Sequence, residues 1–237
     1  MLGQSLFAGG QHALLLGAWF GLLHAFDADH LATIGGLAIN NRRLTPAGYA
    51  LRWALGHGLS LALVATAVLG LGLARLVDWT AYGEFLVCAA LLVIGTQALL
   101  AARRGTQTAN EIAHTRSLSH QQQHPHVHFL APFHTHGRSG RAGVGLGMIH
   151  GGAGSAAVLA LLPLSQLHSG VASALYLGSF SAGVAVGALA FATVFAAFAR
   201  RSVAAGAKIT RAFQAVVGSF AIASGVWLLV EVVRGAA

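Results

Sequence analysis

The stretch HAFDADH, residues 24 to 30, lies between the apolar runs LLLGAWFGLL and LATIGGLAI. An ionised carboxylate in the middle of a membrane span costs at least about 2.5 kcal/mol on insertion scales. Asp27 and Asp29 place two of them within three residues, and no Lys or Arg occurs between residues 13 and 39 to offset them. Compensation must come from a bound cation, from protonated His24 and His30, or from protonation of the carboxyls. A divalent ion held by imidazole nitrogens and carboxylate oxygens would satisfy all four groups. The motif therefore demands an enclosed polar centre inside an apolar helix bundle.

The rest of the chain agrees with a membrane setting. Of 237 residues 56% are hydrophobic and only 8% charged, against roughly a quarter charged in soluble domains. Apolar runs separated by Arg-bearing turns predict six spans, at 13 to 39, 47 to 73, 80 to 102, 142 to 163, 170 to 199 and 212 to 233. The positive charges lie mostly after the first, third and fifth spans, with only Arg75 and Arg234 on the other side. This bias puts both termini outside and the third connection in the cytoplasm. The expected class is all-α: a polytopic membrane helix bundle in the cell (inner) membrane.

Laying the fourth span on the first reveals an internal repeat. GLLHAFDADHLATI (21 to 34) matches GMIHGGAGSAAVLA (147 to 160), so His24 falls on His150 and Asp29 on Ser155. LGHGLS then falls on LGSFSA, which pairs His57 with Ser179. Three helices repeated after three crossings give two inverted three-helix repeats, a plan whose binding sites lie near the midplane. The organisation expected is a first membrane repeat over 1–102, a His-rich cytoplasmic loop over 103–141 and a second membrane repeat over 142–237.

Helical geometry limits how the motif can act. At about 100° per residue, His24, Asp27 and His30 share one face while Asp29 points away. Either the helix is unwound near Asp27 to Asp29, or Asp29 orients a ligand from another helix. The partner helices offer His57, in WALGHGLSLAL, and His150, in LGMIHGGAGSA. The candidate metal ligands are thus His24, Asp27, Asp29, His30, His57 and His150. Nitrogen and carboxylate ligands without thiolate suit divalent Ni, Co, Zn, Mn or Fe and disfavour Cu(I).

The H-x4-D-H arrangement of His24, Asp29 and His30 on a transmembrane helix resembles the signature of the nickel/cobalt transporter (NiCoT) family, and LGHGLS around His57 is similar to that family's second histidine motif. The resemblance covers the first two spans. It implies transport of Ni(II) or Co(II), the ion being cargo rather than a resident cofactor. The best-known members have eight spans and aspartates in later helices. A chain with room for six, and with the carboxylate-free GMIHGGAGSAAV in its second half, is more similar to the short permease branch associated with urease accessory proteins.

Seven more histidines, His114, His120, His124, His126, His128, His134 and His136, fall in the polar connection. Flexible imidazoles of this kind bind divalent ions in variable sets, so the loop is expected to donate, accept or sense metal, with a metallochaperone as a possible partner. An integral-membrane metalloenzyme is the competing class. It is disfavoured by the lack of HExxH, by HQQQH standing without companion boxes, and by glutamates (Glu84, Glu111, Glu231) that lie away from the motif. The net charge of +8 comes from single and paired basic residues at span ends, not from an aromatic-interleaved face that would bind nucleic acid. Expected function is therefore metal uptake without enzymatic activity, with export of the same ions as the alternative.

Overall fold

The computed structural model describes residues 2–38, 45–71, 76–104, 139–153, 163–164, 166–167 and 169–235. Every helix or strand assigned among them is a helix: α1 (Leu2–His24), α2 (Ala28–Ala38), α3 (Pro46–Ala65, continued by a π-helical turn over Thr66–Gly70), α4 (Leu76–Arg104), α5 (Ser139–Gly151), α6 (Gly170–Ala204) and α7 (Ala207–Gly235). Four stretches are long and apolar enough to cross a membrane: Pro46–Val68, Tyr82–Arg103, Gly170–Ala204 and Ala207–Arg234. They coincide with the second, third, fifth and sixth expected spans. The other two, those carrying HAFDADH and His150, do not form one long helix among the described residues. The first is interrupted between His24 and Ala28, and the fourth is helical as far as Gly151. Ser155 and the seven loop histidines lie outside the described residues.

Local chemistry sets the helix starts. Thr45 caps α3 by accepting a hydrogen bond from the Gly48 amide at 3.0 Å, and Pro46 follows in the first turn, where its missing N–H costs nothing. Ser169 caps α6 in the same way, through the Ala172 amide. A tight turn joins α6 to α7 through Gly206, whose φ of +105° only glycine adopts easily.

The helices associate in three principal pairs, α1 with α6, α3 with α5, and α4 with α7, while α2 touches α3, α4, α6 and α7. Lipid removes the hydrophobic drive for association, so close packing must supply it. A side chain on Gly21 would fall on the Phe180 carbonyl, and one on Gly147 on the Trp53 carbonyl, so backbones touch at both crossings.

The distribution of polarity is that of a protein built for lipid. Leu15, Leu55, Leu71, Val171 and Trp227 are all about 70% exposed, whereas His24, His30, Thr33, His57 and His150 are at most 3% exposed. An apolar surface this extensive would drive aggregation in water, and the polar groups have been gathered inside instead. Trp53, Tyr49, Phe180 and Ile34 pack the core on one side of the histidines; Val87, Leu91 and Ala221 pack it on another.

Candidate metal centre

The interruption of the first span arises from three residues. The Phe26 amide bonds to the Leu23 carbonyl at 3.0 Å and the Asp27 amide to the His24 carbonyl at 3.1 Å. These tightened bonds end α1. Asp27 then starts α2, its carbonyl accepting from the Leu31 amide at 3.0 Å. Asp is a favoured residue at a helix start, and Asp29 in the first turn complements the positive end of the α2 dipole. Of the two arrangements compatible with the sequence, the structure has an unwound one, but the break lies at Ala25 to Asp27 and Asp29 is already helical in α2.

That break redirects the motif. His24 and His30 face one another with ring centroids 4.5 Å apart. His57, from α3, brings its ring centroid to 5.4 Å from His24 and 5.3 Å from His30. One ligand nitrogen from each of His24, His30 and His57 lies within 4.8 Å of the others, and all three residues are buried. His150, from α5, adds a fourth ring 5.6 Å from His30.

Hydrogen bonds fix which nitrogens are available. His30 Nδ1 lies 3.0 Å from the His24 carbonyl oxygen, which can only accept, so Nδ1 carries the proton and Nε2 offers its lone pair. That lone pair faces Asp29 Oδ2 at 3.8 Å. A separation of this length is one that two metal–ligand bonds of about 2.1 Å could span. His150 Nδ1 likewise donates to the Leu146 carbonyl at 2.9 Å, and its Nε2 accepts from the Thr33 hydroxyl at 3.0 Å. By contrast, both nitrogens of His57 are buried without a hydrogen-bond partner. His24 Nδ1 stands 2.7 Å from Asp27 Oδ2, close enough for an ion pair but without the alignment of a hydrogen bond, and its Nε2 has no partner.

Burying a polar atom without a partner costs about 1–3 kcal/mol, and both nitrogens of His57 and Nε2 of His24 are in that position. An ion at the centre of the cluster would take one nitrogen from each ring. Asp27 and Asp29 are outside the three-histidine group; their side chains are 42% and 23% exposed. They stand between the buried imidazoles and the outside of the bundle, each touching a different histidine.

Two residues at this centre carry no metal-ligand signal in the sequence. Thr33 holds His150 and is fully buried; its only clue was its place one turn beyond His30 on the same helix face. Trp53 lies one turn before His57 and sets its ring 4.9 Å from His30, 5.2 Å from His57 and 5.8 Å from His150, walling the cluster on the α3 side. Ser179, which the letter match pairs with His57, bonds within its own helix: its hydroxyl donates to the Tyr176 carbonyl at 3.0 Å.

Fold and centre together define a class: a protein all-helical among its described residues, with four helices long and apolar enough to cross a membrane and a buried histidine cluster at the break between α1 and α2. No protein-family model matches the chain, and no solved structure matches it. It is similar to the urease accessory protein UreH of Bacillus sp. (strain TB-90), with 28% identity over 183 residues, 76% of this chain and 75% of that protein.

Proposed function

We propose that the chain carries divalent nickel or cobalt across a cell membrane, in the uptake direction, through a site built by His24, His30, His57 and His150 with Asp27 and Asp29 beside it. The observation that carries this reading is the buried group His24, His30 and His57, with both nitrogens of His57 and Nε2 of His24 unpartnered inside an apolar bundle. Neutral imidazole and carboxylate are the ligand set of a divalent first-row metal. The likeness to a protein named for a urease accessory role supports nickel handling in particular. Asp27 and Asp29 are the half-exposed members; they attract the ion and partly neutralise it while it sheds water. His150 joins the ligand set when the Thr33 hydroxyl turns away.

The same reading includes six spans in two inverted repeats over 1–102 and 142–237, joined by the histidine-rich cytoplasmic loop 103–141 where a metallochaperone would dock. Helix pairing supports it. Exchanging the halves turns the α1–α6 contact into the α5–α3 contact and leaves α4–α7 paired with itself, which is the set of principal pairs found. Gly21 against Phe180 corresponds to Gly147 against Trp53, and Gly183 against Ala18 and Leu22 corresponds to Gly56 against Val144 and Met148. The last residues of both interrupted helices share a turn as well: Asp27 N to His24 O, and Ala153 N to His150 O. This register pairs Tyr49 with Tyr176 and His57 with Val184, not with Ser179. Asp27 and His57 then face Ala153 and Val184, so a two-fold scaffold carries one site rather than two.

Titrating the purified full chain with Ni(II) and Co(II) by calorimetry tests the reading, with the seven loop histidines replaced by Ser to silence them. One ion per chain is expected, and His30→Ala with His57→Ala should abolish it. Unchanged binding in that double variant, while its melting profile stays cooperative, would overturn the assignment.

A further inference from the structure

The α4–α7 seam carries a second feature, unrelated to the histidine cluster. At its end nearest the α6–α7 turn a groove of about 400 Å³ is lined by Arg103, Lys208 and Arg211 over a floor that includes Leu99, Ala102 and Ala215. None of the three cations has a carboxylate within ion-pair distance among the described residues. Arg211 contributes only a long contact of its Nε to the Ala207 carbonyl, 3.4 Å. Lys208 also stands in the first turn of α7, where the helix dipole disfavours a cation, and Arg211 follows at the start of the next turn. Three uncompensated positive charges beside an apolar floor at a helix end call for an anion with an apolar part.

The groove continues lengthwise. Leu99 also lines an adjoining groove of about 570 Å³ that follows α7 past Ile222, Val226 and Trp227. Apart from Ser219, this second groove is apolar from Leu99 to Val230, with Arg234 at its far end. The charge bias of the connections places Arg103, Lys208 and Arg211 at the cytoplasmic face, the leaflet whose anionic lipids attract basic residues.

We propose that this seam binds one anionic phospholipid of the cytoplasmic leaflet, its phosphate held by Arg103, Lys208 and Arg211 and an acyl chain laid along Leu99, Ile222 and Trp227. The lipid tethers the end of α4 to the start of α7, the helix pair that frames the two halves of the bundle. The site stands whatever ion the histidine cluster takes.

The test uses the full chain in nanodiscs and in detergent, with phosphatidylglycerol and phosphatidylcholine of matched chains. Native mass spectrometry should retain one phosphatidylglycerol per chain and raise the melting temperature, with no such effect from phosphatidylcholine. Arg103→Ala, Lys208→Ala and Arg211→Ala combined should weaken retention on the order of a hundredfold, since each cation near an anionic headgroup contributes about fivefold. A charge-matched control, Arg141→Ala, Arg200→Ala and Arg201→Ala, removes three exposed cations outside the groove and should retain lipid as the wild type does. Equal loss in both triple variants would reduce the effect to diffuse surface charge and overturn the site. Equal retention of the two lipids, or displacement of phosphatidylglycerol by millimolar inorganic phosphate, would overturn it too. If the groove variant fails to fold, Lys208→Gln alone, expected at roughly fivefold weaker retention, keeps the question open to measurement.

Discussion

Two glycines on one helix, Gly145 and Gly147, should respond in opposite ways to the same substitution. A Cβ on Gly147 would land on the Trp53 carbonyl and 2.9 Å from the His57 amide nitrogen, whereas a Cβ on Gly145 meets nothing within 4 Å. Ordinary contacts lie at about 3.5–4.0 Å, so Gly147→Ala must push α5 away from α3 by roughly 1.5–2 Å to clear the Trp53 carbonyl. A shift of that size is enough to stretch the 3.0 Å bond between Thr33 and His150 beyond the range in which it counts as a hydrogen bond. Overpacking of this kind costs about 1–3 kcal/mol, which for a chain of this size lowers Tm by roughly 2–12 °C. Gly145→Ala faces outward and should stay within about 0.5 kcal/mol of the wild type. Thermal melting of both variants in the same detergent, read by tryptophan fluorescence, makes the comparison. Equal Tm values for the two would refute the close α3–α5 crossing, and with it the placement of His57 beside His150.

Thr33→Val removes the donor to His150 Nε2 and should destabilise the metal-free protein by about 1–3 kcal/mol; if His150 is a ligand, saturating Ni(II) should recover most of that loss, which melting with and without metal would reveal. Asp29→Ala or His30→Ala should abolish metal flux while membrane insertion, followed by fractionation, is unchanged; wild-type flux in either would remove the role given to the motif. Replacing His114, His120, His124, His126, His128, His134 and His136 with Ser should preserve saturable transport and shift only its apparent affinity or regulation. A folded loop variant that carries no metal would make the loop part of the permeation path.

The all-helical, lipid-facing character was legible because it rests on long averages: a few charges spread over many apolar residues leave little else to fold into. A lone imidazole in a helix is more often structural than a ligand; His57 and His150 could be picked out because Asp27 and Asp29 need compensation nearby, and the structure gathers His24, His30, His57 and His150 into one buried cluster. The break at Ala25 to Asp27 could not be decided from the letters. No Gly or Pro marks it, and the turn depends on amide bonds to Leu23 and His24 that residue type does not announce. The register proposed for the repeat differs from the match of letters in the α3–α6 comparison for a related reason. Matching LGHGLS to LGSFSA aligned similar letters, whereas the packing aligns glycines by the helix they touch, Gly56 with Gly183. Thr33 and Trp53 were passed over because hydroxyl and indole are ordinary core residues until their neighbours are known.

The central claim, that the buried histidines form a transport site, is tested most directly by flux. The full chain reconstituted in proteoliposomes, loaded with a metal-sensing dye and exposed to Ni(II) or Co(II) from either side, should show saturable movement that His57→Ala eliminates, because both nitrogens of His57 are buried in the cluster without a hydrogen-bond partner. Direction follows from which side sustains the flux under an applied membrane potential. Metal movement in His57→Ala equal to that of the wild type, from the same side and with the same saturation, would contradict the account.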